Sequence, residues 1–441
     1  APKRAGSYDL TGSPILIDEN VNPDAITWAQ AEAAYDWCTG QGTFDDPYVI
    51  ENVTIDGQGN VTCIEIRNSQ THYFEIRNCT LFNFDDDAIY LHNCRKSNIH
   101  NNTCHGGEGS AISLAWGGAN HSIHDNHIYD TKDDGISCSA DDVRIMNNTL
   151  INNTKGIYLF NLENANVSRN SISCGTWGLR MKGISRGRIF LNNLTNCSIY
   201  SEDNQRVNYT SNQLKGGGFS FSSHSSSFYF QNISLTNEVN GKPVYQYINE
   251  TRLDKANFTN AGEIILANCN DTLIEDFEIC NLSTAVAMHG CNNVSIINNS
   301  LTSIEYTAVQ AFDGQNNTVM NNTIEFMKTG LELPESNCTV INNTFSCPKE
   351  VKEAIAIDLK GSGNVIGNNT IHYSTIYVKS SENKLDNNSF FHNGLYFYFL
   401  HDIFLENEFG GSNTVNGRPI MFREDEEFLE PLDFEGVVQL I

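Results

Sequence analysis

A short pattern that returns about every 22 residues constrains the fold of this chain more than any other feature. An apolar tetrad of the type Gly/Ala-Ile-x-Leu is followed by a polar turn and then by Ile-x-x-Asn-x-Ile/Leu. The tetrad begins at Ala88, Ala111, Gly135, Gly156, Gly178 and Gly330, with later copies at Ala354, Thr375 and Gly394. Repeats of this length are typical of solenoids, in which each repeat packs only against its neighbours.

The asparagine of the second element keeps the same period, with spacings of 22, 22, 22 and 20 residues in the first run. Its copies are Asn126, Asn148, Asn170, Asn192 and Asn212, and later Asn299, Asn322, Asn343, Asn369, Asn388 and Asn407. Asparagine tolerates the left-handed backbone of turns, and stacked amides can hydrogen-bond to one another. Because one coil cannot bury its apolar side alone, we expect stacked coils whose short strands form parallel sheets.

These repeats resemble those of right-handed parallel β-helix proteins with pectin-lyase-like topology, and especially the NosD-like proteins of bacterial and archaeal surfaces. The resemblance covers about residues 50–441. It implies an all-β, right-handed parallel β-helix solenoid of about sixteen coils. Such proteins include polysaccharide lyases and hydrolases, adhesins and surface-layer components, so the fold leaves the function open.

The two ends of the chain differ from the repeats. Residues 1–49 form an N-terminal segment in which residues 25–38 are predicted to be an amphipathic capping helix, with Trp28, Ala31, Tyr35 and Cys38 on one face. Residues 50–441 form the β-helix, with insertions near 236–262 and 410–436 that share an Asn-Gly-Lys/Arg-Pro motif. After the second insertion only one further strand is expected, and it remains uncapped.

Uncapped strands offer unpaired backbone groups for edge pairing. We therefore predict head-to-tail self-association, in which the N-terminal strand of one subunit adds to the last strand of another; the alternative is a missing terminal domain. The assembly residues are Ile15, Leu16, Ile17, Val437, Val438 and Leu440.

Composition indicates an exported protein. The formal charge of −26 argues against nucleic acid as a partner, and no apolar run approaches the ~20 residues of a membrane span. The chain opens on Ala-Pro-Lys-Arg without Met, as expected of a processed chain, and contains 24 Asn-X-Ser/Thr sequons. We expect an extracellular or cell-surface glycoprotein. Candidate glycosylated residues are Asn52, Asn60, Asn120, Asn166, Asn208, Asn232, Asn249, Asn257, Asn270, Asn281 and Asn293.

The thirteen cysteines form no CxxC pair and often replace Ile, Leu or Asn of another coil. They are therefore interpreted mainly as buried small side chains, with some disulfides as the alternative. Outward aromatics are expected at Tyr90, Tyr158 and Tyr200, and in a denser patch at residues 396–399. Rows of rings on a flat sheet can stack on sugars or on another protein.

One cluster of charged residues is a candidate site. Alignment of coils on the Ile strand stacks acidic residues on successive turns, where their oxygens could gather around Ca²⁺. These acids are Asp86, Asp87, Glu108, Asp133 and Asp134. In lyases that this chain resembles, acids hold Ca²⁺ against substrate carboxylates and a basic residue abstracts a proton. If this chain is an enzyme, the resemblance implies Asp134, Lys155, Arg180 and Lys182 as catalytic residues.

Three functions remain open. The first is a non-catalytic surface protein: an adhesin, or a filament or surface-layer subunit that requires no cofactor. The second is a Ca²⁺-dependent polysaccharide lyase or a glycosidase that acts on acidic glycans. The third is a carbohydrate-binding protein without chemistry. The motifs of polygalacturonase-type hydrolases match poorly, because His105 precedes the Asp133-Asp134 pair and no Asn-Thr-Asp element occurs.

Overall fold

A computed structural model describes residues 6–20, 22–175, 177–222, 231–334, 336–397, 406–421 and 437–438. It confirms an all-β parallel solenoid of about 16 turns with almost no helix. The chain divides into two compact units, residues 1–238 and 239–441. This boundary lies inside the first predicted insertion, and a short strand, Glu238–Val239, spans it.

Unit 1 contains three sheets, which we call 1A, 1B and 1C. Sheet 1A contains Ile15–Asp18, Ile64–Arg67, Asp87–His92, Ser110–Ala115, Asp134–Cys138, Lys155–Phe160, Trp177–Lys182, Ser198–Glu202 and Phe219–Phe221. Sheet 1B contains Cys38–Thr39, Tyr48–Glu51, Phe74–Arg77, Ser97–His100, Ser122–His124, Arg144–Met146, Glu163–Ser168, Ser185–Phe190, Gln205–Thr210 and Gln231–Ile233. Sheet 1C contains Tyr8–Asp9, Val53–Asp56, Thr80–Phe82, Thr103–His105, His127–Tyr129, Thr149–Ile151, Ser171–Ser173, Asn193–Thr195 and Gln213–Lys215.

The core of unit 1 consists of apolar side chains stacked from coil to coil. In sheet 1A, Ile136 pairs with Ile157 and Ile157 with Leu179. All three side chains are fully buried. The predicted stacking of the repeats is therefore confirmed, and the alternate residues of each strand are left on the outer face.

The repeat asparagines form a continuous buried ladder at the turn between sheets 1B and 1C. Each amide Nδ2 donates to the Oδ1 of the next asparagine at 2.9–3.0 Å. Each also donates to a backbone carbonyl of the preceding coil, as Asn170 does to Ile145 at 2.9 Å. The ladder runs through Asn102, Asn126, Asn148, Asn170, Asn192, Asn212 and Asn237, one coil further at each end than the repeat pattern indicated.

The left-handed backbone predicted for these asparagines belongs instead to the residue before each of them. Asn147, Arg169 and Leu191 have φ of 55°, 55° and 57° and precede Asn148, Asn170 and Asn192. The ladder asparagine is needed for its buried amide, whereas the preceding residue makes the bend.

The N-terminal cap is shorter than predicted. The helix α1, Trp28–Ala34, begins after the capping residue Thr27, and it ends because Tyr35 is extended, with φ −124° and ψ 137°. Cys38 belongs to a strand, not to the predicted helical face. Trp28 is fully buried, stacks on Tyr48 with ring centroids 5.2 Å apart, and donates from Nε1 to Ser69 Oγ at 3.0 Å.

Unit 2 also contains three sheets, 2A, 2B and 2C, and a 3₁₀ helix, Lys255–Phe258. Sheet 2A contains Lys242–Ile248, Glu263–Ala267, Val286–His289, Thr307–Phe312, Thr329–Leu333, Ile355–Leu359, Thr375–Val378 and Leu395–Phe397. Sheet 2B contains Leu273–Glu275, Ser295–Ile297, Thr318–Met320, Thr339–Ile341, Val365–Gly367, Lys384–Asp386 and Glu408–Phe409. Sheet 2C contains Glu278–Leu282, Ser300–Ile304, Thr323–Phe326, Thr344–Ser346, Thr370–His372, Ser389–Phe391, Thr414–Val415, Arg418–Met421 and Val437–Val438.

A second asparagine ladder runs through unit 2 and corrects one residue of the repeat pattern. It contains Asn299, Asn322, Asn343, Asn369, Asn388 and Asn413. Asn407 was predicted to follow Asn388, but its Oδ1 accepts from the backbone N–H of Asn383, on a separate row. Asn407 and Asn413 lie 19 and 25 residues after Asn388, and both distances occur between ladder partners, so the repeat period alone selects the wrong asparagine.

Candidate functional site

The predicted charged residues lie on strands of sheet 1A or just before them. Asp87 pairs with Ser110, and Asp134 pairs with Lys155, at the start of their strands. Lys155 Nζ lies 3.0 Å from Asp133 Oδ1 and 3.2 Å from Asp134 Oδ1. The structure therefore brings Asp133, Asp134 and Lys155 into direct contact, and one ammonium group is shared between two carboxylates.

The other predicted calcium ligands do not join this contact. Glu108 pairs with Lys132, and Asp86 is exposed. Within the part of the chain that the structure describes, no three His, Cys, Asp or Glu residues are grouped so that they could hold a metal ion. The calcium site remains a prediction from the sequence.

The titration of this cluster is perturbed. Burial raises the pKa of Asp134, and the positive charge of Lys155 opposes the rise only in part. Burial lowers the pKa of Lys155, but hydrogen bonds and charges of Asp133 and Asp134 outweigh it and keep the pKa above its ordinary value. Lys155 therefore stays protonated at neutral pH and cannot accept a proton as a general base.

Asp87 is the acid with the most perturbed environment on this face. Burial raises its pKa to about 7, and the negative charges of Asp86, Asp133 and Glu65 add to the effect. One backbone hydrogen bond, at Ser110, opposes it. A carboxyl group that is partly protonated at neutral pH can donate a proton.

Farther along sheet 1A, Arg180 is held between two tyrosine rings. Tyr158, Arg180 and Tyr200 pair in register on three successive strands. The guanidinium carbon lies 5.1 Å from the centroid of Tyr158 and 5.9 Å from that of Tyr200. Such stacking fixes the plane of the guanidinium group. Arg180 Nε is buried without a hydrogen-bond partner among the described residues.

Trp177 extends this surface. Its ring lies 4.8 Å from that of Tyr200, and Lys182 Nζ forms an ion pair with Glu202 at 2.7 Å. We call the outer surface formed by Tyr158, Trp177, Arg180 and Tyr200 the aromatic face. Sequence analysis identified the tyrosines and Arg180 but missed Trp177, which could have been found as the residue two positions before Leu179 in the repeat.

Unit 2 carries a smaller surface of similar type on sheet 2A. The ring centroids of Tyr377 and Tyr396 are 4.8 Å apart, with the rings tilted by 32°, and Tyr396 is 47% exposed. Beside them, Lys379 Nζ lies 2.6 Å from Asp358 Oδ1, and Lys360 bridges Asp358 and Glu332. Of the predicted aromatic patch, residues 398–399 lie outside the described residues.

Most of the predicted glycosylation residues are on the surface. Asn60, Asn120, Asn208, Asn232, Asn249, Asn257, Asn281 and Asn293 are exposed, and Asn52, Asn166 and Asn270 are half-buried. Asn270 Oδ1 accepts from the backbone and side chain of Asn292. Which of them carry sugar remains a prediction.

The predicted assembly strand already has neighbours on both sides. Ile15, Leu16 and Ile17 pair in register with Ile64–Arg67, and Ile15 and Ile17 are buried. On the opposite edge, Ile26 N–H donates to Leu16 O, and Asp18 N–H donates to Ile26 O. A second subunit could extend sheet 1A here only by displacing Ile26. Val437 and Val438 pair with Ile420 and Met421, and Leu440 lies outside the described residues, so self-association remains a prediction.

The parallel β-solenoid described above defines the class of protein, and a family model identifies the family. The family model for the right-handed β-helix region matches residues 37–193, 247–390 and 284–420, which is more than half of the chain. The chain therefore belongs to the right-handed β-helix family. A search of curated protein sequences finds no significant relative.

Solved structures with a similar solenoid are distant in sequence. A tailspike protein mutant of E. coli bacteriophage HK620 in complex with a pentasaccharide is 10% identical; the match covers 91% of this chain and 80% of that one, with a TM-score of 0.34. XylC with xylose is 11% identical over 79% of this chain and 54% of its own, with a TM-score of 0.26. This chain thus spans about half of the XylC chain. The Azotobacter vinelandii mannuronan C-5 epimerase AlgE4 A-module is 12% identical over 84% and 89%, with a TM-score of 0.20. These likenesses carry no information about the ligand of this chain.

No helix in the described residues is both long and apolar enough to cross a lipid bilayer.

Proposed function

We propose that this chain is an extracellular, surface-displayed adhesive protein that binds carbohydrate on the aromatic face of unit 1 without cleaving it. The observation that carries the proposal is the stack of Tyr158, Arg180 and Tyr200, with Trp177 beside it. Aromatic rings on a flat sheet offer apolar surfaces on which the C–H faces of sugar rings can stack. A guanidinium group packed between rings offers paired N–H donors to a carboxylate or to hydroxyl groups.

The charges around this face support binding more than chemistry. Lys155 is occupied by Asp133 and Asp134, and Lys182 by Glu202. The pKa of Lys182 is raised by its hydrogen bond with Glu202. Neither lysine is available as the neutral base that proton abstraction from a sugar requires. Display outside the cell is supported by the 24 sequons of the sequence.

The test is a glycan array probed with the full chain, followed by titration of the best ligand. The double variant Tyr158→Ala/Tyr200→Ala removes both rings and should weaken binding roughly 30-fold, because each stacked ring contributes on the order of 1 kcal/mol. Phe44→Ala removes a ring that is 75% exposed elsewhere in unit 1 and should leave the affinity unchanged. The proposal fails if no saccharide binds or if the double variant binds as tightly as the original chain.

Cleavage of an acidic glycan is a second candidate, and one observation favours it. Asp87 has a pKa of about 7 and lies two strands from Asp134 in sheet 1A, and the pKa of Asp134 is also raised. A protonated and an ionised carboxyl group on one face are what glycoside hydrolysis uses. The predicted Ca²⁺-dependent lyase would use the same surface.

Activity assays separate this candidate from binding alone. If the chain cleaves glycans, acidic oligosaccharides incubated with it, with and without Ca²⁺, should yield shorter products, and Asp87→Asn should lower the rate by at least about 100-fold. Glu382→Gln, an exposed change in unit 2, is the matched control. Product formation that survives Asp87→Asn would remove Asp87 from the chemistry, and no product from any acidic glycan would leave binding as the function.

A further inference from the structure

A groove on the outer face of sheet 1B forms a second site, separate from the aromatic face. It has a volume of about 650 Å³ and is lined by four arginines, Arg144, Arg186, Arg188 and Arg206, together with asparagine side chains. We call it the arginine groove. We propose that the arginine groove binds a linear polysaccharide that carries carboxylate or sulfate groups along its length.

The register of the strands arranges the groove as a regular column. Arg144 pairs with Asn166, Asn166 with Arg188, and Arg188 with Asn208. Because neighbouring strands are about 4.8 Å apart, Arg144 and Arg188 repeat at about 10 Å. Guanidinium groups of arginine therefore alternate with side-chain amides of asparagine along the column. This periodic arrangement suits a polymer with regularly spaced anionic groups better than a single small anion.

Three of the four groove arginines have no acidic partner among the described residues. Arg144, Arg188 and Arg206 form no ion pair with any described residue, and Arg186 pairs with Glu163. Among the described residues that line the groove, Asp142 is the one acid, and its Oδ1 accepts from Asn164 at 2.8 Å. In a chain with a formal charge of −26, such a concentration of arginine creates a local positive potential that attracts anions.

Two of the arginines also occupy positions where arginine is unfavourable. Asp142, Asn164, Arg186 and Arg206 take the same turn position on successive coils, and all have positive φ, from 52° to 64°. Asp and Asn adopt this conformation readily, whereas other side chains are strained in it. Arg169 and Arg252, outside the groove, have the same backbone conformation, with φ of 55° and 59°, so these turns accommodate arginine without requiring it.

The side-chain oxygen of Asn166 is a further polar group available to a ligand in the groove. Its Oδ1 is buried and accepts no hydrogen bond from the described residues. A hydroxyl group of a saccharide lying between Arg144 and Arg188 would satisfy it. Asn120, Asn166 and Asn208 line this groove and are also sequon residues. Our proposal thus requires Asn120, Asn166 and Asn208 to be unmodified, because a glycan on any of them would fill the groove.

The test measures binding of fluorescent oligogalacturonate, dextran sulfate and neutral maltohexaose to the full chain. We expect at least one anionic probe to bind, with affinity falling as salt rises, and maltohexaose not to bind in the groove. The two anionic arms decide between carboxylate and sulfate. Arg144→Gln/Arg188→Gln should weaken binding of the anionic probe at least 30-fold. Arg169→Gln/Arg252→Gln removes the same charge from exposed sites and should weaken it less than 3-fold.

Two further measurements do not depend on whether a variant of the groove folds. Arginine labelling with phenylglyoxal, read by mass spectrometry, should show Arg144 and Arg188 protected by the bound probe and Arg169 unprotected. Tyr158→Ala/Tyr200→Ala should leave binding of the anionic probe intact, so that failure of the aromatic face and failure of the groove are distinguishable. The proposal would be overturned if both double arginine variants lost the same affinity for the anionic probe, or if the bound probe left the groove arginines unprotected. It would also be overturned by a glycan on any of the three sequon asparagines of the groove in the native protein, or if neither anionic probe bound.

Discussion

Replacement of Asn192 by alanine is expected to lower the free energy of unfolding by about 3–5 kcal/mol, whereas alanine at Asn193 should change it by less than about 0.5 kcal/mol. The two residues are adjacent, but Asn192 is 1% exposed and Asn193 lies on the surface. Asn192 Nδ2 donates to Val167 O at 2.9 Å and to Asn212 Oδ1 at 3.0 Å. Its Oδ1 accepts from the backbone and side chain of Asn170, both at 3.0 Å.

The large expected effect comes from the groups that alanine leaves behind. The carbonyl of Val167 and two N–H groups of Asn170 would remain buried without partners, and each such group costs about 1–3 kcal/mol. Asn192→Asp separates this effect from lost volume. Aspartate keeps the shape and the acceptor but cannot donate to Val167, and its carboxylate would face Asn212 Oδ1. We expect it to destabilise the chain at least as much as alanine does.

Denaturant unfolding of the chain produced without N-glycosylation, followed by circular dichroism, measures these differences. Production without glycans matters because Asn193 begins a sequon. If alanine at Asn192 and alanine at Asn193 lower stability equally, the ladder contributes no more than an ordinary surface turn.

The repeat predicts the ladder but not all its members, for a physical reason. Partners are 19–26 residues apart, and this distance depends on the length of the loops between them. Where coils are uniform, as from Asn126 to Asn212, the period finds each partner. Where the coil lengths vary, as after Asn343, the period is ambiguous, and the ladder continues at Asn413 and not at Asn407. Local pattern fixes the strand and its inward face, and loop length fixes the register.

The candidate sites show the same difference between what the sequence pattern predicts and what it misses. Alignment on the Ile strand of sheet 1A placed Asp134 and Lys155 on neighbouring strands, and the structure brings their side chains into contact. The arginine groove was missed because its residues belong to sheet 1B, where Arg144 and Arg188 are 44 positions apart, two coils, with Asn166 between them. The same alignment on the Ile of sheet 1B would have placed these arginines in one column.

The titration of Asp87 provides a second large prediction. Its pKa is 3.8 in an unfolded chain and about 7 in the folded one. Between these values the folded state holds a proton that the unfolded state has lost, so stability falls as pH rises from 4 to 7. Asparagine at this position cannot ionise. Asp87→Asn should therefore match the original chain near pH 4 and be more stable at pH 8, by up to about 4 kcal/mol.

The quantity to measure is the difference in the free energy of unfolding between the variant and the original chain at each pH. In this difference the contributions of most other acidic residues cancel. The contributions of Asp86, Asp133 and Glu65 to this difference do not cancel completely, because their charges act on Asp87 directly. Asp45→Asn, an exposed change in the same unit, is the control for the loss of one carboxyl group. A flat curve for Asp87→Asn would show that the carboxyl group is better solvated than its buried position indicates.

If the stability advantage of Asp87→Asn rises with pH, the result has a consequence for function. An acid that lowers stability at neutral pH is one that the fold alone does not favour, because asparagine would be more stable in its place. A role for its proton or its charge would account for such a residue, and Asp87 lies two strands from Asp134 in sheet 1A. If Asp87→Asn stabilises the chain at pH 8 and also abolishes release of products from an acidic glycan, the second candidate function displaces pure binding. If it stabilises the chain and leaves saccharide affinity intact, with no product from either protein, the aromatic face is a binding surface and Asp87 serves another purpose.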